Sequence, residues 1–484
     1  MSRVVVIGAG LGGLAAAARL AALGHDVTVL EQAASVGGKL GTQTLTTAAG
    51  DVTFDTGPSL LTMPHVLEDL FADTGAPLAS VLELVRTTLP GARFTDGTVM
   101  SSATTADDFI AGLDTEQRAQ WSALMQRAAR VWDVTHGPFL EAPLDGVRTL
   151  LRLALKNPRA VPLVAPTRSL RDVGHALLPD PHLRTVLDRY ATYSGSDPRR
   201  APAALVTVPW VEQTYGAWHV RGGLHRIALA VADRATERGA RIETGADVAR
   251  IERDGVRVSA VRLRDGSVRP ADIVVANADA AHVYGELIDA PSAARRLARA
   301  TLSYSGFVVL LAVRGPIGTS THEVLFPERY DDELDALAAG RPVDDPTVYV
   351  SAPDDAAMRT GDAYPAFVLV NAPRDGQVDG EVDGCAESYA DRVVGLMAAR
   401  GIDLRDRVLA RAVISPTELA RRSRAPGGAI YGTSSDGPRA AFLRPANVSP
   451  VPGLFLVGGS SHPGGGLPLV LLSARIVAGV IGRA

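Results

Sequence analysis

The first 31 residues alternate strand, glycine turn, helix and strand, and they end on an acid. Val4-Val5-Val6-Ile7 is a β-branched run suited to a buried strand. It leads into Gly8-Ala9-Gly10-Leu11-Gly12-Gly13, and 14–23 follows as an alanine-rich helical stretch. Val27-Thr28-Val29-Leu30 reads as a second strand, closed by Glu31. Each piece answers a need of a dinucleotide. Gly8 permits a tight turn, Gly10 lets a pyrophosphate approach the backbone, and Gly13 lets helix and strand pack closely. The helix N-terminus offers unbonded N–H groups and the positive end of its dipole to the phosphates. Glu31 stands where a carboxylate accepts hydrogen bonds from an adenosine ribose. We therefore read a dinucleotide site rather than a bare glycine turn, because strand, helix and acid all accompany the glycines.

A chain of 484 residues exceeds a single core and has room for two domains. Its net charge of −4 gives no basis for nucleic-acid binding. Lys39 and Lys156 are the only lysines; arginine supplies the other basic side chains. Cys385 is the single cysteine, which excludes an intrachain disulfide framework and a cysteine metal cluster. The ten histidines show no metal-ligand spacing. The apolar N-terminus is explained by its glycine fingerprint rather than by a signal sequence. No uninterrupted apolar stretch reaches the ~18 residues of a membrane span, so a cytoplasmic location is expected.

Nucleotide signals recur far from the first block. Gly37-Gly38-Lys39 and Phe54-Asp55-Thr56-Gly57-Pro58-Ser59 come next. Gly222-Gly223 opens a helical pattern through Leu229, Ala232 and Ala235, followed by strand-like runs at 248–251, 260–263 and 272–278. Leu454-Phe455-Leu456-Val457 then leads into a glycine-rich loop, 458–466, and a helical run over 468–481. The expected organisation is one cofactor domain assembled from 1–75, 215–285 and 420–484. A second domain, from 76–214 and 286–419, would cover it.

The second glycine cluster separates FAD from NAD. An NAD domain needs one fingerprint, whereas a flavin dinucleotide needs further contacts along ribityl and isoalloxazine. A helix N-terminus near Gly466 would face the flavin pyrimidine edge, where negative charge gathers on reduction. The competing reading, a flexible loop, is weaker because such composition usually permits close backbone approach.

These motifs resemble the carotenoid (phytoene-type) desaturase family of FAD-dependent oxidoreductases, within the flavin amine oxidase-like superfamily. The resemblance rests on Gly8-x-Gly10-x-x-Gly13, Glu31, Gly37-Gly38-Lys39 and Asp55-x-Gly57-Pro58. It continues through Tyr193-Ser194-Gly195-Ser196-Asp197-Pro198, Gly216-x-Trp218-x-Val220-x-Gly222-Gly223 and the block from Pro452 to Pro468. It implies an α/β fold in which a Rossmann-like FAD-binding domain interleaves with a mixed α/β substrate domain. It also implies non-covalent FAD and removal of hydrogen pairs from a long polyene. Carried over to matching positions, it places Glu31 on the adenosine ribose and Lys39 beside the pyrophosphate, with Gly37, Gly38, Gly57 and Pro58 among the cofactor-binding residues. Val248 would bring its backbone to the adenine, and Gly458-Gly459 would lie along the ribityl chain.

Flavin N5 is a competent hydride acceptor, and loss of an allylic hydride leaves a cation delocalised over the polyene. No side chain is assigned as a base on this reading. His462 is the obvious polar group in the last glycine loop, and a structural role bonded to backbone is favoured for it. Amine oxidation is the nearest rival chemistry. It is disfavoured because no lysine follows Lys156 and aromatics make up only 5% of residues. A cysteinyl flavin is disfavoured by the distance of Cys385 from the glycine motifs. Prenyl-protein carriers share the architecture without redox chemistry, but they would be expected to have lost the flavin-contacting clusters that survive here.

A polyene substrate has to come from a membrane. From 146 to 171 there are six basic residues and no acidic one, with Arg148, Arg152, Lys156 and Arg159 near helical spacing among leucines. The segment has two readings: peripheral attachment to the inner face of the cell membrane, or a solvated cationic helix face. The last glycine loop leans towards desaturases that act late on carotenoid end groups. A quinone or oxygen suits a membrane-facing flavoprotein as electron acceptor better than a nicotinamide.

Overall fold

Val4 to Ile7 are buried in the middle strand of a five-stranded sheet, as their β-branched run requires. The computed structural model describes residues 1–144, 154–155, 158, 160–374, 385–437, 440 and 444–484. The sheet runs in the order Leu454–Leu456, Ile273–Ala276, Arg3–Ile7, Asp26–Glu31, Arg241–Thr244. Every neighbouring pair is parallel, in a register that sets Val5 beside Val274 and Thr28. Parallel strands buried on both faces read as unbroken apolar runs, which is why the sequence located them well.

On one face lie the helices Leu11–Ala22, His225–Glu237 and Leu467–Ile481, packed over Val4, Val6, Val27 and Val29. Gly13 and the four consecutive alanines Ala15 to Ala18 keep the first helix close to the sheet, and none of the four alanines is exposed. On the other face a three-stranded antiparallel sheet, Val248–Asp254, Arg257–Leu263 and Val268–Pro270, buries Ile251, Val258 and Val261 against Val5, Ile7 and Val274.

A seven-stranded mixed sheet forms the second body. Its order is Val408–Ile414, Ser305–Arg314, Ala363–Ala372, Val348–Ser351, His322–Leu325, Gly91–Arg93, Val99–Met100. One face packs against the helices Thr115–Leu140, Leu170–Leu177 and Pro181–Arg189, and the other against Cys385–Ala399. A hairpin, Thr42–Thr47 and Gly50–Asp55, leaves the glycine-rich end of the first sheet and touches this second sheet, where Thr360 donates its N–H to Asp51 at 2.8 Å. The fold is thus the Rossmann-like α/β unit interleaved with a mixed α/β unit that the resemblance implied.

Arg148, Arg152, Lys156 and Arg159, the basic stripe of segment 146–171, lie outside the described residues. Among the described residues, no helix is long and apolar enough to cross a membrane.

Candidate functional site

The carboxyl ends of the five parallel strands share one edge, where Gly8, Gln32, Gly245, Asn277 and Val457 leave the sheet. Such an edge is where open α/β sheets hold ligands. Gly8 turns at φ +94° and donates its N–H to Leu30 at 2.8 Å, which ties the turn to the strand that ends on Glu31. A Cβ on Gly13 would lie 2.2 Å from the Gly8 carbonyl, so close helix–strand packing requires glycine there. Gly10 caps the first helix without any side-chain cap, which leaves the helix N-terminal N–H groups open to a ligand.

The separated glycine blocks meet at this turn. Gly37 donates its N–H to Ala9 at 2.9 Å, and a Cβ on Gly38 would stand 3.3 Å from the Gly10 Cα. From the chain's other end, Gly458 approaches so closely that a Cβ on Gly12 would sit 3.1 Å from its Cα. Asn277 is the pivot between them. Its backbone N–H bonds Ile7 at 2.8 Å, and its amide lies against Gly8, Gly10, Gly12 and Gly458. The sequence reading placed Asn277 in a strand and gave it no role. A polar residue just past a buried parallel strand was the available signal.

Glu31 is buried and accepts hydrogen bonds from Ala9 N–H at 2.7 Å and Ala33 N–H at 2.8 Å. A carboxylate has room for about four donors, so two acceptor positions remain. The segment after Glu31 is joined to 245–246 by Gly245 N–H to Ala33 and Ala246 N–H to Glu31 backbone, which brings the buried Val248 to the same edge.

Lys39 is exposed over much of its side chain, and its ammonium reaches back to the protein. Nζ donates to the Ile430 carbonyl at 2.5 Å and to Ala429 at 3.4 Å. Burial pushes its pKa down, with Asp279 pulling the other way. Arg444 behaves alike: buried, pushed down to about 10 by desolvation and opposed by Asp279. It donates to the carbonyls of Tyr431, Gly459 and Thr433, and so fixes the last glycine loop. Two cations, Lys39 and Arg444, thus share the one carboxylate of Asp279, an imbalance that suits a bound anion. Nothing local in an arginine-rich chain marks Arg444, and the sequence reading missed it.

Gly57 and Pro58 brace the loop of Lys39, since a Cβ on Gly57 would meet the Lys39 carbonyl at 1.9 Å. Asp55 accepts from the N–H groups of Leu224 at 2.8 Å and His225 at 3.0 Å, which caps the helix that Gly222-Gly223 introduces. Replacing Asp55 by alanine is expected to cost about 1–2 kcal/mol as a lost cap, read as a lower unfolding midpoint at unchanged fold. Gly466 stands at the N-terminus of the helix Leu467–Ile481, and Gly459, which approaches Gly465, accepts from Arg444. His462 is buried, with Nε2 3.0 Å from the Ala142 carbonyl and its pKa pushed down to about 4 by burial. It is a neutral, backbone-bonded histidine at physiological pH, in line with the structural role expected of it. Among the described residues no cluster of side chains is arranged to hold a metal.

The chain's residues 11–360 match the family described as flavin containing amine oxidoreductase. The hydroxyneurosporene desaturase of Cereibacter sphaeroides is 34% identical over 490 residues, covering 99% of this chain and 97% of that protein. The chain belongs to the flavin-containing amine oxidoreductase family, on its carotenoid desaturase branch. A 4,4'-diapolycopene oxygenase of Methylomonas sp. is 33% identical over 491 residues, with 98% and 97% covered. In fold, this family member matches wild-type putrescine oxidase bound to putrescine with a TM-score of 0.68 at 14% identity, covering 99% and 98% of the two chains. Family membership makes the protein an FAD-dependent oxidoreductase. The residues gathered at the sheet edge fit that cofactor: an open helix N-terminus, a carboxylate with free acceptor positions, and cations in excess.

Proposed function

We propose that this protein is an FAD-dependent desaturase of a carotenoid or a related hydrophobic polyene. The carrying observation is relatedness over nearly the full length of both chains to a hydroxyneurosporene desaturase. That relative, with the form of the last glycine loop, favours a late, hydroxylated carotenoid over phytoene. Segments 1–75, 215–285 and 420–484 would form the cofactor part, with 76–214 and 286–419 over the substrate.

In this reading FAD, when bound without a covalent link, supplies a hydride acceptor at N5. Glu31 receives the ribose hydroxyls, and Gly8, Gly10, Gly13, Gly37 and Gly38 keep side chains away from the diphosphate. Lys39 balances its charge, while Gly57 and Pro58 hold the Lys39 loop in place. Val248 offers backbone to the adenine. Gly458 and Gly459 would border the ribityl chain, and the helix end at Gly466 would favour negative charge on the reduced ring. A quinone or oxygen would take the electrons. Peripheral attachment at the inner membrane face delivers the substrate, and failure of the full-length protein to float with anionic liposomes at low salt would end that part of the proposal.

The test is expression in hosts supplied separately with phytoene, lycopene and a 1-hydroxylated carotenoid, followed by pigment chromatography and mass spectrometry. The expected result is a red-shifted product from the hydroxylated substrate, with mass lost in hydrogen pairs. The oxygenase relative favours a second reading, in which the product gains oxygen instead. FAD bound with no pigment altered in any strain would discard the carotenoid.

A further inference from the structure

Two asparagines stand beside the glycine loops, and the fold satisfies them very differently. Asn447 is 1% exposed, and its amide nitrogen donates to the carbonyls of Leu456 at 3.1 Å and His462 at 2.8 Å and to the Ser473 hydroxyl at 3.0 Å. Its Oδ1, which has no partner, is sealed inside the protein. Asn447 is a strut. Asn277 is half-buried, and among the described residues its amide makes one bond, from Nδ2 to the Gly8 carbonyl at 3.4 Å. That length is beyond the usual range for an N–H···O bond. An asparagine amide has two donors and two acceptor lone pairs, so most of the capacity of Asn277 is unspent.

The topology holds this amide in the middle of the glycine cradle. Asn277 follows the strand Ile273–Ala276, which lies between the two strands that end in glycine turns, Arg3–Ile7 and Leu454–Leu456. Its backbone N–H bonds Ile7, and the Val457 N–H bonds Ala276 at 3.0 Å, so both turns are tied to it at the same level. The side chain then reaches both. A Cβ on Gly10 would lie 2.7 Å from Nδ2, and a Cβ on Gly458 or Gly12 would lie 2.5 or 2.8 Å from Oδ1. Gly10 has φ −70° and ψ 166°, an extended backbone open to any residue. Apart from Asn277, the nearest atom to a Cβ there is the Gly37 carbonyl, 4.0 Å away. The side chain missing at position 10 therefore leaves room for this amide as well as for a ligand. The nitrogen end of the amide stands at the turn that admits a diphosphate, and the oxygen end at the last glycine turn.

We infer that Asn277 is a cofactor-binding residue that grips FAD where its diphosphate joins the ribityl chain. The inference rests on the cofactor placement proposed above. Diphosphate oxygens accept hydrogen bonds and do not donate, so only the nitrogen end of an amide suits them. Ribityl hydroxyls also donate, so they suit the oxygen end. Asn277 presents the two ends in the order of the cofactor, Nδ2 at Gly10 and Oδ1 at Gly458. Nδ2 thus gives the diphosphate a charge-assisted bond, and Oδ1 accepts from a ribityl hydroxyl. The uncapped N–H groups of the first helix can serve the diphosphate but offer a hydroxyl proton no acceptor, which Oδ1 supplies. Aspartate at 277 would keep the shape, lose the donor and set a negative charge against the diphosphate.

The test is titration of FAD onto apoprotein, followed by flavin fluorescence, with ADP and adenosine as competitors that differ only in the diphosphate. In the wild type ADP is expected to displace FAD at lower concentration than adenosine. Asn277→Ala is expected to weaken FAD by roughly 10- to 100-fold, as for one lost charge-assisted bond, and Asn277→Asp by roughly 100-fold or more. In both variants ADP should lose most of its advantage over adenosine, while urea unfolding of the apoprotein keeps the wild-type midpoint. A strut behaves otherwise: loosening the two turns weakens ADP and adenosine alike and lowers the midpoint, and that result overturns the inference. Failure of both variants to fold has the same meaning. FAD bound by Asn277→Ala within about twofold of wild type also overturns it, and the cofactor placement then rests on whether Lys39→Met loses FAD. If ADP displaces FAD from the wild type no better than adenosine does, the cofactor placement falls and the role of Asn277 with it.

Discussion

Lys39→Met is expected to weaken FAD binding by roughly 10- to 100-fold while leaving the apoprotein's stability within about 1 kcal/mol of wild type. The asymmetry follows from where the ammonium sits. Its two bonds go to backbone carbonyls of Ile430 and Ala429, and among the described residues no carboxylate is in ion-pair contact with it. Burial already pushes its pKa down, so in the absence of an anion the charge is a burden on the fold. A diphosphate would turn that burden into charge-assisted hydrogen bonds, each worth about 1.5–3 kcal/mol. Methionine keeps the apolar stem and removes only the charged end. Titration of FAD onto apoprotein, beside unfolding of the same apoprotein, separates the two effects. Loss of apoprotein stability matching the loss of affinity would make Lys39 a strut for 429–430 and remove it from the cofactor site.

Lys39 was legible in the sequence for a reason that does not extend to its partners. It stands directly after a glycine pair in a chain whose basic side chains are otherwise arginine but for Lys156, so local spacing and residue type coincide. The same locality made the first strand, turn and helix readable, because a parallel strand buried on both faces and a glycine turn both leave short-range patterns. Asn277, Arg444 and Glu212 leave none. Asn277 reaches Gly8 across 269 residues of chain, and Arg444 finds its three carbonyl acceptors only after the last loop has folded back. Glu212 is one acid among many until Tyr190, from another element, closes over it. Glu31 was read by its place at a strand end, yet its bonds to Ala9 and Ala33 show that it also builds the turn. A substitution at Glu31 therefore mixes binding with folding, which makes Lys39 the cleaner probe.

Glu212→Gln is expected to make the folded protein more stable than wild type at pH 8 by about 3 kcal/mol, with the advantage fading towards pH 4.5. The sign follows from the direction of the shift. The carboxyl titrates near 4.5 in an unfolded chain and at about 7 in the folded one. Below both values it is protonated in either state and carries no pH-dependent penalty. Between them the folded protein holds a proton that the unfolded chain has released, so stability falls as pH rises. Above about 7 the folded protein carries a buried anion and the full penalty remains. Glutamine has the shape of the protonated acid and does not ionise, so it follows the acidic limit at every pH. Urea unfolding of both proteins at pH 5 and pH 8 checks this, and parallel stabilities at the two pH values would sink it.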